Sequence, residues 1–154
     1  MKAKELVTLF TEKGENFNIK NWDVYPRPQL KRDSFLCLNG EWDLYAAEGA
    51  QKETIIVPFP PESALSGIER SMGDAPHYRY EKRFSLPDGF KKDRVLLHFG
   101  AVDQIARVSL NGALVGEHIG GYESFYFDIT NELKDENLLV VEVTDELQNK
   151  VLPY

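Results

Sequence analysis

The chain has 154 residues, of which 42% are hydrophobic and 28% are charged, and its formal net charge is −7 at pH 7. This composition is typical of a globular protein, and no apolar run approaches the ~18 residues of a membrane-spanning helix, so the disordered and membrane classes are excluded. The acidic balance and the scattered lysines and arginines argue against a nucleic-acid partner, because such proteins carry a basic patch.

We expect an N-terminal extension over residues 1–21 and one domain over residues 22–154. Helical spacing predicts a short helix over residues 2–13, with Gly14 as its stop signal; the residues at that spacing are Leu6, Leu9, Phe10 and Lys13. Its apolar side is narrow, so a docked helix and a frayed end remain alternatives. The segment has no apolar signal core and no small-residue cleavage site, which predicts a cytoplasmic location unless a signal peptide was removed.

The next stretch predicts extended structure. Residues 26–28 read Pro-Arg-Pro, which prevents a regular hydrogen-bond ladder and predicts an arm laid over the surface. The Asn39-Gly40 pair predicts a turn. It leads into a half-buried strand whose inward face carries Trp42, Leu44 and Ala46. A short strand over residues 54–57 follows, and Pro58 ends it.

A long irregular loop separates these strands from the next one. Residues 58–76 are rich in Pro, Gly and Ser, and loops of this length within compact domains are usually functional or disordered. Alternation resumes between residues 77 and 86, with one face formed by Tyr78, Tyr80, Phe84 and Leu86. Lys82 interrupts this inward pattern, which indicates either an edge strand or a lysine whose stem is buried.

The stretch from residue 95 to residue 128 has the clearest β pattern. Its first strand is predicted to be buried on both sides, with Val95, Leu97 and Phe99 opposite Leu96. A second strand carries Ala106, Val108 and Leu110 inward. It ends at Asn111-Gly112, the strongest short hairpin signal, because both central residues of a type I′ turn need positive φ. A third strand carries Phe125, Phe127 and Ile129, and we expect Asp128 to cap the following turn.

A last strand over residues 137–144 places Leu139, Val141 and Val143 on one face. The total is roughly eight strands separated by turn signals, with almost no helix. This pattern predicts an all-β fold, an antiparallel β-sandwich or jelly roll.

The chain carries no recognised catalytic or cofactor motif, so we expect no cofactor and no metal. Cys37 is the single cysteine, which rules out a disulfide within the chain, and its position between two leucines favours a buried core thiol. His77, His98 and His118 have no metal-site spacing, and His98 is expected to be a core or surface histidine. The acidic residues near loops and strand ends show no spacing typical of a catalytic pair: Glu62, Asp74, Asp103, Glu117, Glu123 and Asp128.

Four aromatic residues lie in the arm, in loops or on outward strand positions: Trp22, Tyr25, Tyr122 and Tyr126. Flat rings suit the apolar faces of sugars and equally suit an interface between domains. We favour the interface.

A series of short motifs follows in a specific order. They are Tyr25-Pro26-Arg27-Pro28-Gln29, Leu38-Asn39-Gly40-Glu41-Trp42, Val57-Pro58-Phe59, Pro61-Glu62-Ser63, Leu65-Ser66-Gly67-Ile68, Tyr78-Arg79-Tyr80, Arg83-Phe84, His98-Phe99-Gly100-Ala101-Val102-Asp103, Val108 to Gly112, Val115-Gly116, His118, Gly120-Gly121-Tyr122 and Phe127-Asp128-Ile129-Thr130. Each motif alone is weak. The ordered set, over roughly residues 22–145, resembles family 2 glycoside hydrolases, the group of β-galactosidases and β-glucuronidases.

The resemblance implies the N-terminal sugar-binding domain of such an enzyme, a jelly roll of the galactose-binding-domain-like type. In that family an immunoglobulin-like sandwich and a TIM barrel follow, and the barrel carries the two glutamates of the retaining mechanism. A barrel alone takes ~250 residues, so we expect this chain to be inactive by itself. We also expect its domain to be cut short at the C-terminal end.

The resemblance also implies two loops that reach the active site of the barrel. One is Ser71-Met72-Gly73-Asp74, and the other runs from His118 to Tyr122. In some relatives these loops supply an Asn and an Asp that touch the sugar or a bound cation, and neither residue is matched by identity here. The candidate residues at the rim of a substrate site are therefore Asp74, His118, Gly120, Gly121 and Tyr122.

The favoured hypothesis is a non-catalytic domain that packs against the barrel and shapes its pocket for a carbohydrate substrate. Its partners would be the immunoglobulin-like and barrel domains of the same parent chain. Two alternatives remain open, namely an independent carbohydrate-binding module and a purely structural domain that forms a homo-oligomer.

Overall fold

The structure, a computed structural model, describes residues 11–18, 27–46, 51–70 and 77–145. This part of the chain contains one helical turn, α1 (Glu12–Glu15), and two 3-10 turns, Pro28–Leu30 and Ala64–Ser66. Its eight strands are β1 (Gly40–Tyr45), β2 (Glu53–Val57), β3 (His77–Phe84), β4 (Leu96–Phe99), β5 (Ile105–Leu110), β6 (Ala113–Ile119), β7 (Phe125–Asp128) and β8 (Asn137–Thr144). The predicted all-β class is confirmed.

The strands form two antiparallel layers. Six strands form the main sheet in the order β2-β1-β3-β8-β5-β6, and β4 pairs with β7 in a two-stranded sheet that we call the ribbon. Every strand pair is antiparallel. The predicted antiparallel β-sandwich is therefore confirmed, with layers of unequal width.

The core lies between the inner face of the main sheet and the inner face of the ribbon. Alternate residues of each strand point into it, as the period of two requires. The main sheet contributes the fully buried Leu44, Ile55, Ala106, Val108, Leu110 and Leu139, and the ribbon side contributes Val95, Leu97 and Ile129. Burial of this apolar surface is the main force that holds the two layers together.

The ribbon contacts the main sheet at the edge strand β6. Gly116 faces the Phe127 ring so closely that a Cβ at residue 116 would lie 2.8 Å from Cζ of Phe127, and nearer still to two other ring carbons. Two positions along β6, His118 stacks on Phe125 with ring centroids 4.0 Å apart, and Phe125 stacks on Phe99 at 4.8 Å. A side chain at residue 116 would push the two layers apart.

The Asn111-Gly112 turn forms as predicted, since the φ angles of the two residues are 54° and 86°. The structure adds a role for the Asn111 side chain. Its Nδ2 donates to the Glu132 carbonyl at 2.7 Å and to Asn137 Oδ1 at 3.0 Å, and its Oδ1 accepts from the Leu138 N–H at 2.9 Å. The turn is thereby tied to the start of β8.

Two predictions about β1 and β4 are wrong. Asn39-Gly40 is not a turn, because the segment before it is not a strand, and Gly40 instead begins β1 with φ 107° and pairs with Val57. Strand β4 is buried on one side only, since it belongs to a two-stranded layer: Leu97 is buried, whereas His98 on the opposite face is exposed.

Lys82 lies on β3, which is a central strand between β1 and β8, so the edge-strand explanation is wrong. The explanation by a buried stem holds, because the half-buried Lys82 donates from Nζ to the Glu41 carbonyl at 2.7 Å. Asp128 caps the turn after β7 as predicted, accepting from the Thr130 N–H at 3.0 Å.

The N-terminal segment differs from its prediction. Helix α1 begins only after Thr11, whose hydroxyl accepts from the Gly14 N–H at 3.0 Å, and Gly14 lies inside the helix rather than after it. Residues 2–10 of the predicted helix, and Pro26 of the predicted arm, lie outside the described residues. Cys37 is half-buried rather than fully buried. No helix in the described ranges has the length and apolar character needed to cross a membrane.

We predict that Gly116→Ala lowers the free energy of unfolding by about 1–3 kcal/mol, because the added methyl group overpacks the contact with Phe127. Urea unfolding measures the change. The control is Gly100→Ala, since Gly100 is exposed and a Cβ there has nothing within 4 Å; it should stay within about 0.5 kcal/mol of the parent. Equal effects of the two substitutions would contradict the close approach at Gly116.

We predict that Asn111→Gly costs about 2–4 kcal/mol, because glycine accepts the positive φ but leaves the Leu138 N–H without its partner. Asn39→Gly is the matched control. Asn39 is also half-buried, and its side chain has no hydrogen bond to the described residues. We expect this control to cost less than about 1 kcal/mol. A similar loss in both variants, measured by urea unfolding, would contradict a stabilising role for the Asn111 side-chain hydrogen bonds.

Candidate functional site

The described residues that flank the two loops singled out in the sequence lie at the same end of the main sheet. Four strands end in one row across the sheet. His77, the first residue of β3, pairs with Thr144 of β8, and Thr144 pairs with Ile105 of β5. Ile105 in turn pairs with Ile119, the last residue of β6. Residues 71–76, which include Asp74, lie outside the described residues. The residues that flank them are at this end, because Arg70 binds Glu53, the first residue of β2, with both carboxylate oxygens 2.7 Å from Nη2. We call this end of the sheet the rim end.

The loop after β6 folds back onto the loop before β5. Gly120 has φ 137° and donates from its N–H to the Gln104 carbonyl at 2.9 Å. A Cβ at Gly121 would lie 2.7 Å from Cγ of Asp103, so the loop backbone touches the Asp103 side chain. The glycine pair therefore permits the close contact that the sequence suggested.

His118 points inward from β6 and is not a surface residue. Its side chain is 17% exposed, and its ring lies on Phe125. Among the side-chain atoms of the described residues, Nε2 is the one buried polar atom without a hydrogen-bond partner, and Glu123 Oε1 is 3.9 Å away. An unsatisfied buried group costs about 1–3 kcal/mol, so a small movement of Glu123 would stabilise this loop.

Tyr122 and Ile119 point out of the loop into solvent. Tyr122 is 91% exposed and Ile119 is 71% exposed, the two highest values among the large hydrophobic residues that the structure describes. Three acidic residues lie in the same two loops and on β6: Asp103, Glu117 and Glu123. The rim end thus exposes two large apolar side chains in segments that also carry acidic residues.

A second group of side chains lies on the outer face of the ribbon. His98 is directly opposite Tyr126, and their ring centroids are 5.3 Å apart with 36° between the planes. Arg94 donates from Nε to Asp128 Oδ2 at 2.7 Å, and its Nη2 lies 2.6 Å from the same oxygen. Hydrogen bonds from the Thr130 hydroxyl, then from the Thr130 N–H and from Arg94, lower the pKa of Asp128 to about 2.

Sequence alternation placed Tyr126 outward, but the sequence contained no signal that His98 would be its neighbour. That contact depends on the register between β4 and β7. Trp22 and Tyr25, the other two aromatics singled out above, lie outside the described residues. Within the described ranges no three His, Cys, Asp or Glu side chains converge as metal ligands would.

Comparison with known proteins identifies a family. The sequence profile described as "Glycosyl hydrolase 2 galactose-binding domain-like" matches residues 67–151. The chain is 43% identical to a β-galactosidase of Thermoanaerobacter pseudethanolicus over 77 residues, which is 48% of this chain and 10% of that protein. It is 31% identical to a β-glucuronidase of Bacteroides fragilis over 127 residues, 77% of this chain and 18% of that protein.

Solved structures of β-glucuronidases also resemble this chain. The β-glucuronidase of Bifidobacterium dentium, solved in complex with coumarin-3-O-glucuronide, superposes with a TM-score of 0.60 at 29% identity, over 75% of this chain and 21% of that one. The chain therefore spans between a tenth and about a fifth of the length of these relatives.

We predict that Asp128 stabilises the fold above about pH 4 and that this contribution is lost as the pH falls towards about 2. The folded-state pKa is lowered from its ordinary value of 3.8 to about 2, so between these values the unfolded chain binds the proton more readily. Asp128→Asn should flatten the acid side of the plot of unfolding free energy against pH. Asp88→Asn, the same change at an exposed turn, is the control, and equal flattening by both would refute the assignment to Asp128.

Proposed function

The chain belongs to the glycosyl hydrolase 2 family and corresponds to the galactose-binding domain-like part of these proteins. We propose that it is a non-catalytic domain of a retaining β-glycosidase. In this proposal the domain packs against a catalytic barrel of the same parent protein and shapes the pocket of that barrel. The observation that carries the proposal is the rim end, where an ordered loop holds Tyr122 and Ile119 out in solvent.

The site chemistry favours a docking role over catalysis. Retaining glycosidases need two carboxyl groups about 5–5.5 Å apart, one of which acts as nucleophile. Near the end of β6, His118 stacks on a phenyl ring, and Oε1 of Glu123, in the loop that follows, is 3.9 Å from its Nε2. These groups hold the loop in place. The reacting carboxylates would come from a barrel, which takes ~250 residues of its own.

The loop geometry favours a defined partner surface. Contact of Gly121 with Asp103, and the hydrogen bond from Gly120 to Gln104, fix the backbone on both sides of Tyr122. An exposed tyrosine on a fixed backbone loses little conformational freedom on docking, which is typical of residues that dominate an interface. The substrate class of the parent enzyme would be a β-glycoside, as the names of the relatives suggest.

We expect this chain alone to hydrolyse none of the 4-nitrophenyl β-galactoside, β-glucuronide and β-mannoside, and a longer protein from the same open reading frame to hydrolyse at least one of them. In that longer protein, Tyr122→Ala should lower kcat/KM about tenfold, since a central interface tyrosine is worth at least ~1.4 kcal/mol. Leu114→Ala is the control, because Leu114 is also exposed, at 51%, but lies at the other end of β6.

Two results would contradict the proposal. Hydrolysis by this chain alone would show that it carries its own catalytic groups. An unchanged kcat/KM in Tyr122→Ala, with the longer protein active, would show that the rim end does not contact the catalytic domain.

A further inference from the structure

We propose that His118 and Glu123 form a pH-sensitive latch, in which a protonated His118 imidazole binds the Glu123 carboxylate and fixes the loop that carries Tyr122. His118 is then a positioning residue for the rim end. The effect of the latch on docking rests on the proposed function. The latch itself is a property of this chain and is tested on this chain.

The His118 ring is held by aromatic packing, and one of its nitrogens has no partner. The ring lies on Phe125 with centroids 4.0 Å apart and 16° between the planes. Phe125 lies in turn on Phe99, at 4.8 Å and 14°. This column of three rings runs from the ribbon to the edge strand β6 and fixes the orientation of the imidazole. Its Nε2 atom is buried and has no hydrogen bond to the described residues.

Glu123 is the group that can satisfy this nitrogen. A Cβ at Gly120 would lie 3.5 Å from Nε2 of His118 and 3.2 Å from Oε1 of Glu123, so the two side chains flank the same glycine. Nε2 and Oε1 are 3.9 Å apart, which is too far for a hydrogen bond. The Glu123 side chain is 72% exposed, whereas that of His118 is 17% exposed, so the carboxylate is the partner that can move.

The charge of the imidazole decides whether this gap closes. A neutral imidazole presents Nε2 either as an acceptor, which a carboxylate repels, or as an ordinary N–H donor. A protonated imidazole donates from Nε2 with a positive charge, and charge-assisted hydrogen bonds are shorter and about twice as strong as neutral ones. The charge also lies over the face of Phe125, and aromatic faces attract cations. Protonation therefore draws Glu123 onto His118 and tightens the loop between them.

The elements packed against the ring leave Glu123 as its charged partner in the described part of the chain. Strand β5 presents Ala106 at the paired position, and β7 presents the Phe125 ring, and neither side chain titrates. The neighbouring Glu117 belongs to the opposite face of β6, where it is paired with Arg107 at 3.4 Å.

A second carboxylate lies further along the same loop. Asp103, in the segment before β5, lies against Gly121. It is not paired with His118, whereas Glu123 is. We therefore assign the latch to Glu123.

The direction of the pH effect follows from this contact. Between about pH 8 and about pH 5 imidazoles take up a proton, whereas exposed carboxylates stay charged. The latch needs both the proton and the carboxylate. The loop should therefore be most ordered near pH 5 and least ordered near pH 8.

The test measures loop order in the 154-residue chain by NMR. Hydrogen-exchange protection of the backbone amides of residues 120–124, corrected for the intrinsic pH dependence of exchange, reports local opening of the loop. In the parent we expect protection to be about three- to tenfold higher at pH 5 than at pH 8, the effect of one partly buried ion pair.

Three variants separate the latch from a general response to pH. In Glu123→Gln, which keeps the size of the side chain, protection should be the same at both pH values, and the His118 ring should bind its proton about threefold more weakly. His118→Phe keeps a ring on Phe125 without a titrating group and should also remove the pH dependence. Glu117→Gln is the matched control, because it removes a neighbouring carboxylate from the opposite face; it should keep the pH profile of the parent.

Equal protection at pH 5 and pH 8 in the parent overturns the latch, and so does a pH dependence that survives in Glu123→Gln. An equal loss of pH dependence in Glu117→Gln overturns it as well, because the effect would then reflect overall charge. If His118→Phe fails to fold, Glu123→Gln and its control decide, since Glu123 is exposed.

The latch and the proposed function fail separately. A pH-dependent loop in this chain, together with an unchanged kcat/KM of Tyr122→Ala in the longer protein, keeps the latch and refutes the docking role. A loop without pH dependence, together with a lowered kcat/KM of Tyr122→Ala, keeps the docking role and refutes the latch.

Discussion

The approach of the Phe127 ring to the backbone of Gly116 is the constraint on which the rest of this structure depends. A two-stranded ribbon is not stable in water by itself, because it has too little apolar face to bury. Here it is held against the edge of a six-stranded sheet, where a missing side chain on β6 leaves room for a phenyl ring of β7. That contact sets the distance between the two layers of the sandwich.

The rim end and the outer face of the ribbon both follow from this packing. When β7 packs against β6, Phe125 stacks on His118. This contact fixes the end of β6 and the start of the loop that carries the exposed Tyr122. The other face of the same strand turns Tyr126 outward beside His98. The strict alternation of a strand therefore assigns one set of aromatic rings to the core and the other to solvent, and the two surfaces share a single support.

The electrostatic arrangement differs between the two surfaces. The segments of the rim end carry the acidic residues Asp103, Glu117 and Glu123, of which Glu117 is paired with Arg107 at 3.4 Å. On the ribbon, Asp128 is held by Arg94 and Thr130, so its charge is compensated within the fold. Partly unpaired acidic residues suit a basic protein surface.

Local patterns in the sequence determined which residues point inward, where the Asn111-Gly112 turn lies and that the fold is antiparallel and all-β, because alternation and turn chemistry act over a few residues. The ordered motifs further identified the family. The same local rules failed at Asn39-Gly40, since a hairpin turn needs a strand on both sides and residues 35–39 do not form one. Only the tertiary structure decided that His118 stacks on Phe125, that His98 faces Tyr126 and that Asn111 ties the turn to β8. Each of these contacts depends on the strand register and on how the layers pack. Register and layer packing involve segments that are distant in sequence, so no single stretch of the chain determines them.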